Sequence, residues 1–435
     1  MADMQFKNMT EGLFSFIEKS PTGFHVVKNA AAALEAAGYR RLNEGDAWET
    51  VPGGKYYLTR GGASLIAFVM PDQLDGFMLA AAHTDSPCLH LKENAGLFPE
   101  GYTKLDTEKY GGMIISCWLD RPLSVAGRLF VREGENIRSV LVNVDRDLMV
   151  VPSLAIHMDR TINDGKKLTM QTDLLPLLGL GQRDILAICA RAAGVAPEEI
   201  LSHDLYVYNR QKGTILGEEG ELILCPRLDD QMCVYGLLQG FLAHENPRTC
   251  PVLCLFDNEE VGSMSLGGAQ STFLRDTLRR IGAAAGADET ALLRAFARSM
   301  MLSADNAHAI HPNHPEKADP KNHPLPGAGV VVKFGTAYAS DGHSAALVRA
   351  MMDRKGIPHQ TFFNHSDIPG GGTLGKLALV QNGIATVDIG LAQLAMHSSC
   401  ETAGSGDVEA LSALASAFFS SAIRPCGDGA AIEMD

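Results

Sequence analysis

The feature that most constrains the fold is a change of texture partway along the chain. Strand-like and helical patterns share residues 1–92 and alternate from 221 to 435. Alternation of this kind points to an α/β layer fold with a mixed, partly parallel sheet flanked by helices. Between 93 and 220 short strand-like pieces recur instead, among them Gly127-Arg128-Leu129-Phe130-Val131, Ser139-Val140-Leu141-Val142 and Asp204-Leu205-Tyr206-Val207-Tyr208. Turn residues such as Glu133-Gly134-Glu135-Asn136 separate them. The expected organisation is a discontinuous domain, 1–92 plus 221–435, interrupted by an inserted, mostly β domain at 93–220. A chain of 435 residues is long enough for two or three cores.

Within the first part, Met9 to Gly38 reads as helix, turn at Pro21-Thr22-Gly23, and helix. Ser64 to Val69 and Gly76 to Ala82 read as strands, the second running into His83. Met113-Ile114-Ile115 reads as a further short strand, and Ala291 to Met300 as a helix. The formal net charge of -14 argues against a broad nucleic-acid footprint, which needs basic patches. No apolar stretch approaches the roughly 20 residues of a spanning helix, so no membrane is expected. Nine scattered cysteines do not form a disulfide framework, and a reducing cytoplasm is the expected setting.

Chemistry-bearing residues concentrate where apolar runs end. Val252-Leu253-Cys254-Leu255-Phe256 is followed by Glu259-Glu260; one carboxylate of such a pair can bind a metal while its neighbour moves a proton. His83 closes its own strand, and Asp85 can accept the other imidazole proton and fix the ring. Arg227-Leu228-Asp229-Asp230 opens a helix, where an Asp can cap or can bridge two cations. Asp305 and His308 follow the helix read at Ala291 to Met300. Ala395-Met396-His397-Ser398 follows Ile384 to Ile389. Singly, each has a plain reading as cap, turn or surface residue. Together His83, Asp229, Glu260, Asp305 and His397 form an N/O ligand set without sulfur, which suits zinc, manganese or cobalt. Five ligands can hold two metals if one carboxylate is shared, and Glu259 is then free to act as the base.

These segments resemble the aspartyl aminopeptidase family, di-zinc exopeptidases that remove N-terminal Asp or Glu. The resemblance runs through His83-Thr84-Asp85-Ser86-Pro87-Cys88, Asp120-Arg121, Pro152 to Arg160, Pro226-Arg227-Leu228-Asp229, Asp257 to Ser263, Asp305 to Asn313 and Gln393 to Ser398. It implies two Zn2+, with Mn2+ or Co2+ possible at one site. His83, Asp229 and Asp305 would hold one ion; Asp229, Glu260 and His397 would hold the other. Asp85 would orient His83, Glu259 would be the catalytic base, and the Asp229-Asp230 bond would be cis. The resemblance further implies that the inserted domain makes dimers, that dimers build a tetrahedral dodecamer, and that His157 reaches a neighbouring active site.

For substrate binding it implies His308, Lys333 and Tyr338 beside His157, with His308 and Lys333 favouring acidic side chains. Here the chain departs from the family's pattern. Phe334-Gly335-Thr336-Ala337-Tyr338 replaces a string that carries an Arg, and Pro369-Gly370-Gly371-Gly372-Thr373 replaces a Cys-Gly-Ser string. The alternative within the class is therefore a broader-specificity di-metal aminopeptidase or a deacylase.

Overall fold

The computed structural model describes residues 2–434. Its largest sheet has nine strands. Four adjacent strands at its centre, Cys250–Phe256, Phe77–His83, Met300–Ala304 and Ala385–Gly390, run parallel. Their carboxyl ends therefore lie along one edge, where open α/β sheets bind ligands. Ser64–Val69 on one side and Val330–Phe334 on the other run antiparallel to this group.

Phe77–His83 and Cys250–Phe256 are apolar up to their ends because both faces are covered, and the other two carry only Ser303, Thr386 and Asp388 as polar residues. In Phe77–His83, Met78, Ala80 and Ala82 join one core with helices Leu228–Ala243 and Asp407–Phe419. Phe77, Leu79 and Ala81 join the opposite core with helix Phe273–Ala284. Burial of each large side chain here stabilises the fold by about 1.5–3 kcal/mol. The N-terminal pair forms helices Ala2–Lys19 and Gly23–Ala36.

Every strand between Cys88 and Asn209 belongs to a second, antiparallel sheet of six with its own apolar core. Gly127 is required where Leu123–Glu133 crosses Ile200–Asn209: a Cβ there would stand 1.9 Å from the Asp204 carbonyl oxygen. Arg128 ties this sheet to the larger one. It donates from Nε to Asp204 at 2.6 Å and from a terminal nitrogen to the Gly61 carbonyl at 2.6 Å, and its guanidinium stacks 4.2 Å above Phe24.

A third sheet of five short strands lies at the mouth of the parallel group. Its order is Thr214–Leu216, Leu222–Cys225, Glu401–Gly404, Ala392–Leu394, Ala307–His308. It carries the segments that contain Asp229, Asp305 and His397. Two expected elements differ. Met113-Ile114-Ile115 is not a strand; Ile115–Trp118 is a single 3-10 turn, and the Ile114 N–H donates to the His397 carbonyl at 3.0 Å. The helix near 291 is Glu289–Phe296, and Met300 begins a strand. The apolar run at 300 is buried in the sheet, which outweighs local helix propensity.

Candidate active site

The parallel register sets His83 beside Phe256. The Thr84 N–H donates to the Phe256 carbonyl at 2.8 Å, so the turn carrying Glu259 and Glu260 leaves the sheet next to His83. Asn258 takes a left-handed conformation at this corner. On the other side, the strand pair Cys225↔Glu401 brings the segment that runs into Asp229 against the loop carrying His397. The Asp229-Asp230 peptide is cis.

Asp229 lies at the centre. One carboxylate oxygen is 3.3 Å from His83 Nε2 and the other is 3.3 Å from His397 Nε2. His397 Nε2 is also 3.4 Å from Glu260 Oε2. His83, Asp229 and Glu260 each present one ligand atom, all within 4.8 Å of one another. His397 Nδ1 is hydrogen-bonded to the Gly112 carbonyl, which turns Nε2 toward the carboxylates. His83 Nδ1 is 3.1 Å from the Asp85 carbonyl and 3.5 Å from its carboxylate. The same Asp85 carboxylate accepts the N–H groups of Glu259 and Glu260, each at 3.1 Å, and the Tyr110 hydroxyl at 2.8 Å. Asp85 thus fixes the ring of His83 and the backbone of both glutamates.

Asp305 borders the group from the strand end at Ala304. Lys333, fully buried, donates to the Asp305 carbonyl at 2.8 Å and the Asn306 carbonyl at 3.2 Å, with Asp305 Oδ1 3.5 Å away. Asn306 donates to the Leu228 carbonyl and to Gln393, tying this loop to the other two.

The electrostatics show a site short of positive charge. Burial raises Glu259 to about 7; Asp305, Asp85 and Asp229 add to the rise while His83 opposes it. Burial and then Asp229 lift Glu260 well above the carboxylate range. Burial lifts Asp230 likewise and raises Asp305, which Lys333 partly offsets. Asp229 moves the other way: burial opposes its charge, but the bonds to His397 and His83 hold it below the usual range. Glu260 Oε1 is buried without a hydrogen-bond partner, and Asp229 Oδ1 has only the His83 contact at 3.3 Å. Buried anions need paired charge, and a dication among imidazole and carboxylate atoms meets both conditions. The donor set therefore fits zinc.

The structure thus gathers His83, Asp229, Glu260 and His397, with Glu259 and Asp305 at the margin. Tyr338 is buried beside Lys333, whose ammonium lies 5.2 Å above its ring. His308 is exposed at the rim, edge-on to Phe362 at 6.3 Å. His157 is exposed on the loop after Val151, away from this set of contacts. Three contributors have no signature in residue type or spacing: Tyr110, the Gly112 carbonyl and Glu401. Glu401 accepts the backbone N–H of Asp229 at 3.0 Å and of His397 at 2.8 Å.

A family model described as aminopeptidase I zinc metalloprotease (M18) matches residues 16–419. A probable M18 family aminopeptidase 2 of Clostridium novyi (strain NT) is 40% identical over 410 residues, covering 91% of this chain and 94% of that protein. An M18 aminopeptidase structure from Thermotoga maritima matches with a TM-score of 0.85 at 25% identity, covering 96% of each chain. The structure of the S. cerevisiae mApe1 dodecamer matches with a TM-score of 0.84 at 28% identity, covering 95% of this chain and 97% of that one.

Proposed function

The chain belongs to the M18 family of zinc aminopeptidases, and on that premise we propose that it uses two zinc ions to release N-terminal residues, preferably Asp or Glu, from peptides. The observation that carries the two-metal reading is the placement of Asp229. A single carboxylate faces His83 with one oxygen and His397 with the other, both at 3.3 Å. That is the arrangement a bridging ligand needs. His83, Asp229 and Asp305 would hold one ion, and Asp229, Glu260 and His397 the other, with Mn2+ or Co2+ an alternative at one position.

Zinc, when bound, polarises the scissile carbonyl and makes water more acidic. The protein's own groups do the rest. Glu259, held through its backbone by Asp85, takes the proton from the attacking water and returns it to the leaving amine. Asp85 keeps His83 in a fixed orientation.

The preference for acidic residues draws on His308 at the rim and on Lys333 and Tyr338 beneath it. One observation favours a broader specificity: the Lys333 ammonium already donates to two backbone carbonyls of the Asp305 loop. Residues 93–220 would be a dimerisation domain inserted into the discontinuous catalytic domain 1–92 plus 221–435, and dimers would build a tetrahedral dodecamer. Leu154, Ile156 and Met158, which flank His157, are 47%, 46% and 74% exposed. An apolar loop of this kind suits contact with a second subunit, where His157 would reach the neighbour's substrate. No helix among the described residues is long and apolar enough to cross a membrane. All nine cysteines are free, in keeping with a cytoplasmic setting.

The test is zinc analysis of the purified protein with a panel of aminoacyl substrates. Two zinc ions per chain are expected, with faster turnover of Asp and Glu than of Leu substrates. Equal rates on Asp and Leu defeat the acidic preference, and one zinc ion per chain defeats the two-metal reading.

A further inference from the structure

We infer that Glu401 is a positioning residue for the pair of metal ions: it sets the separation of Asp229 and His397 by gripping both through the backbone. This rests on the two-zinc reading above.

The two ligands come from segments far apart in sequence, and the site requires their side chains to converge. Glu401 lies between them. Its Oε2 accepts the Asp229 N–H at 3.0 Å, and its Oε1 accepts the His397 N–H at 2.8 Å. Gln393 Nε2 approaches the same Oε1 at 3.4 Å. The residue is 1% exposed, so water cannot replace these bonds. Its Cα is fixed by pairing with Cys225, three residues before Leu228 and four before Asp229.

The chemistry of the grip requires a carboxylate. Both oxygens must accept, because both partners are backbone donors. A glutamine offers one oxygen and one NH2 group, so one ligand-bearing N–H would face another donor. The backbone at His397 is left-handed, with φ 66°, which makes an anchor at its N–H important for where the ring points. Two further bonds hold this residue: the Gly112 carbonyl on the ring's Nδ1, and the Ile114 N–H on the His397 carbonyl at 3.0 Å. Glu401 sets where the ring starts and Gly112 sets how it is turned. Asp229 is gripped twice as well: the Ser86 hydroxyl donates to its carbonyl at 2.6 Å. Glu401 therefore acts on the metals without touching them. Groups of that kind typically change metal affinity about 10–100-fold when altered.

The experiment compares the wild-type chain with E401Q and E401D. Zinc stoichiometry and both dissociation constants are measured by chelator competition, and the zinc-free proteins are unfolded in urea. In E401Q the more weakly held zinc ion is expected to lose about 10–100-fold in affinity. Its zinc-free form should also unfold at a somewhat lower urea concentration, because one buried N–H is left facing a donor, so the zinc constants are the deciding readout. E401D keeps both acceptors on a shorter arm and should lose affinity in the same direction but less. A merely structural role would lower the urea midpoint and leave the zinc constants alone. Unchanged zinc affinities in E401Q beside a two-zinc wild type overturn the role of Glu401 and leave the two-metal reading intact. A wild-type chain holding fewer than two zinc ions overturns that reading itself. If neither variant folds, Glu401 is structural and the inference is overturned.

Discussion

Asp85 offers the sharpest perturbation, because a single carboxylate supports three parts of the site. It accepts the N–H of Glu259 and of Glu260, each at 3.1 Å, and the Tyr110 hydroxyl at 2.8 Å, and it is 5% exposed. Asp85→Asn leaves one carbonyl oxygen, which can serve at most two of the three donors. If that oxygen faces Glu260 and Tyr110, the new NH2 group faces the Glu259 N–H. One hydrogen bond to a charged group is lost, and a buried donor is left unmet, for a cost of about 2–4 kcal/mol. The damage falls on the backbone of the proposed base. A shift of roughly 1 Å there costs on the order of 100-fold in rate. Steady-state kinetics with zinc at saturation should show kcat lowered by about that factor while KM stays within about threefold. Tyr110→Phe removes one donor and leaves both backbone bonds, so its effect should be smaller. An Asp85→Asn enzyme with kcat within about threefold of wild type would show that Asp85 does not position the base.

Two further outcomes follow from the fold. His25 is buried, with Thr22 Oγ1 2.9 Å from its Nδ1, and burial, helped by Lys28 and Arg227, lowers it from 6.5 to about 4. The unfolded chain then binds the extra proton first, so this group costs nothing above pH 6.5 and destabilises as pH falls toward 4. At about 1.4 kcal/mol per unit the loss reaches about 3 kcal/mol. Urea midpoints of wild type and His25→Gln near neutral and near acid pH should show a shallower fall in the variant, and parallel falls contradict it. Gly127→Ala places a Cβ 1.9 Å from the Asp204 carbonyl. It should destabilise the six-stranded sheet by about 3 kcal/mol, and a urea unfolding curve that matches wild type would show that the strands can part at little cost.

The fold's outline was legible because burial writes itself into composition. Phe77–His83 and Cys250–Phe256 are apolar at every position before the polar end, and only a strand covered on both faces needs that. The chemistry was legible for a related reason. Parallel strands deliver their carboxyl ends to one edge, so His83, Glu260 and His397 could be collected from the residues that follow apolar runs, whereas the strand before Asp305 read as the end of a helix. What stayed hidden acts at one remove, through backbone groups or through Asp85. Glu401, Tyr110 and the Gly112 carbonyl hold N–H groups, rings or loops, and any hydrogen-bonding residue at those positions looks the same in sequence. Met113-Ile114-Ile115 misled because its apolar triplet suggests a strand. Its neighbours Gly111 and Gly112 instead fold it against His397 and Glu260: a Cβ on Gly111 would stand 3.1 Å from that of Glu260. Lys333 lies deeper than a substrate-facing cation would suggest, because the carbonyls of Asp305 and Asn306 accept its protons.

In the proposed mechanism Glu260 holds metal while Glu259 moves the proton. Glu259→Gln separates the two, since the amide keeps the size of the side chain but cannot take a proton from water. Zinc content and turnover measured on the same purified sample decide the matter. Two zinc ions per chain, as in the wild type, are expected, with turnover reduced at least about 100-fold. Two zinc ions with near wild-type turnover would contradict that mechanism.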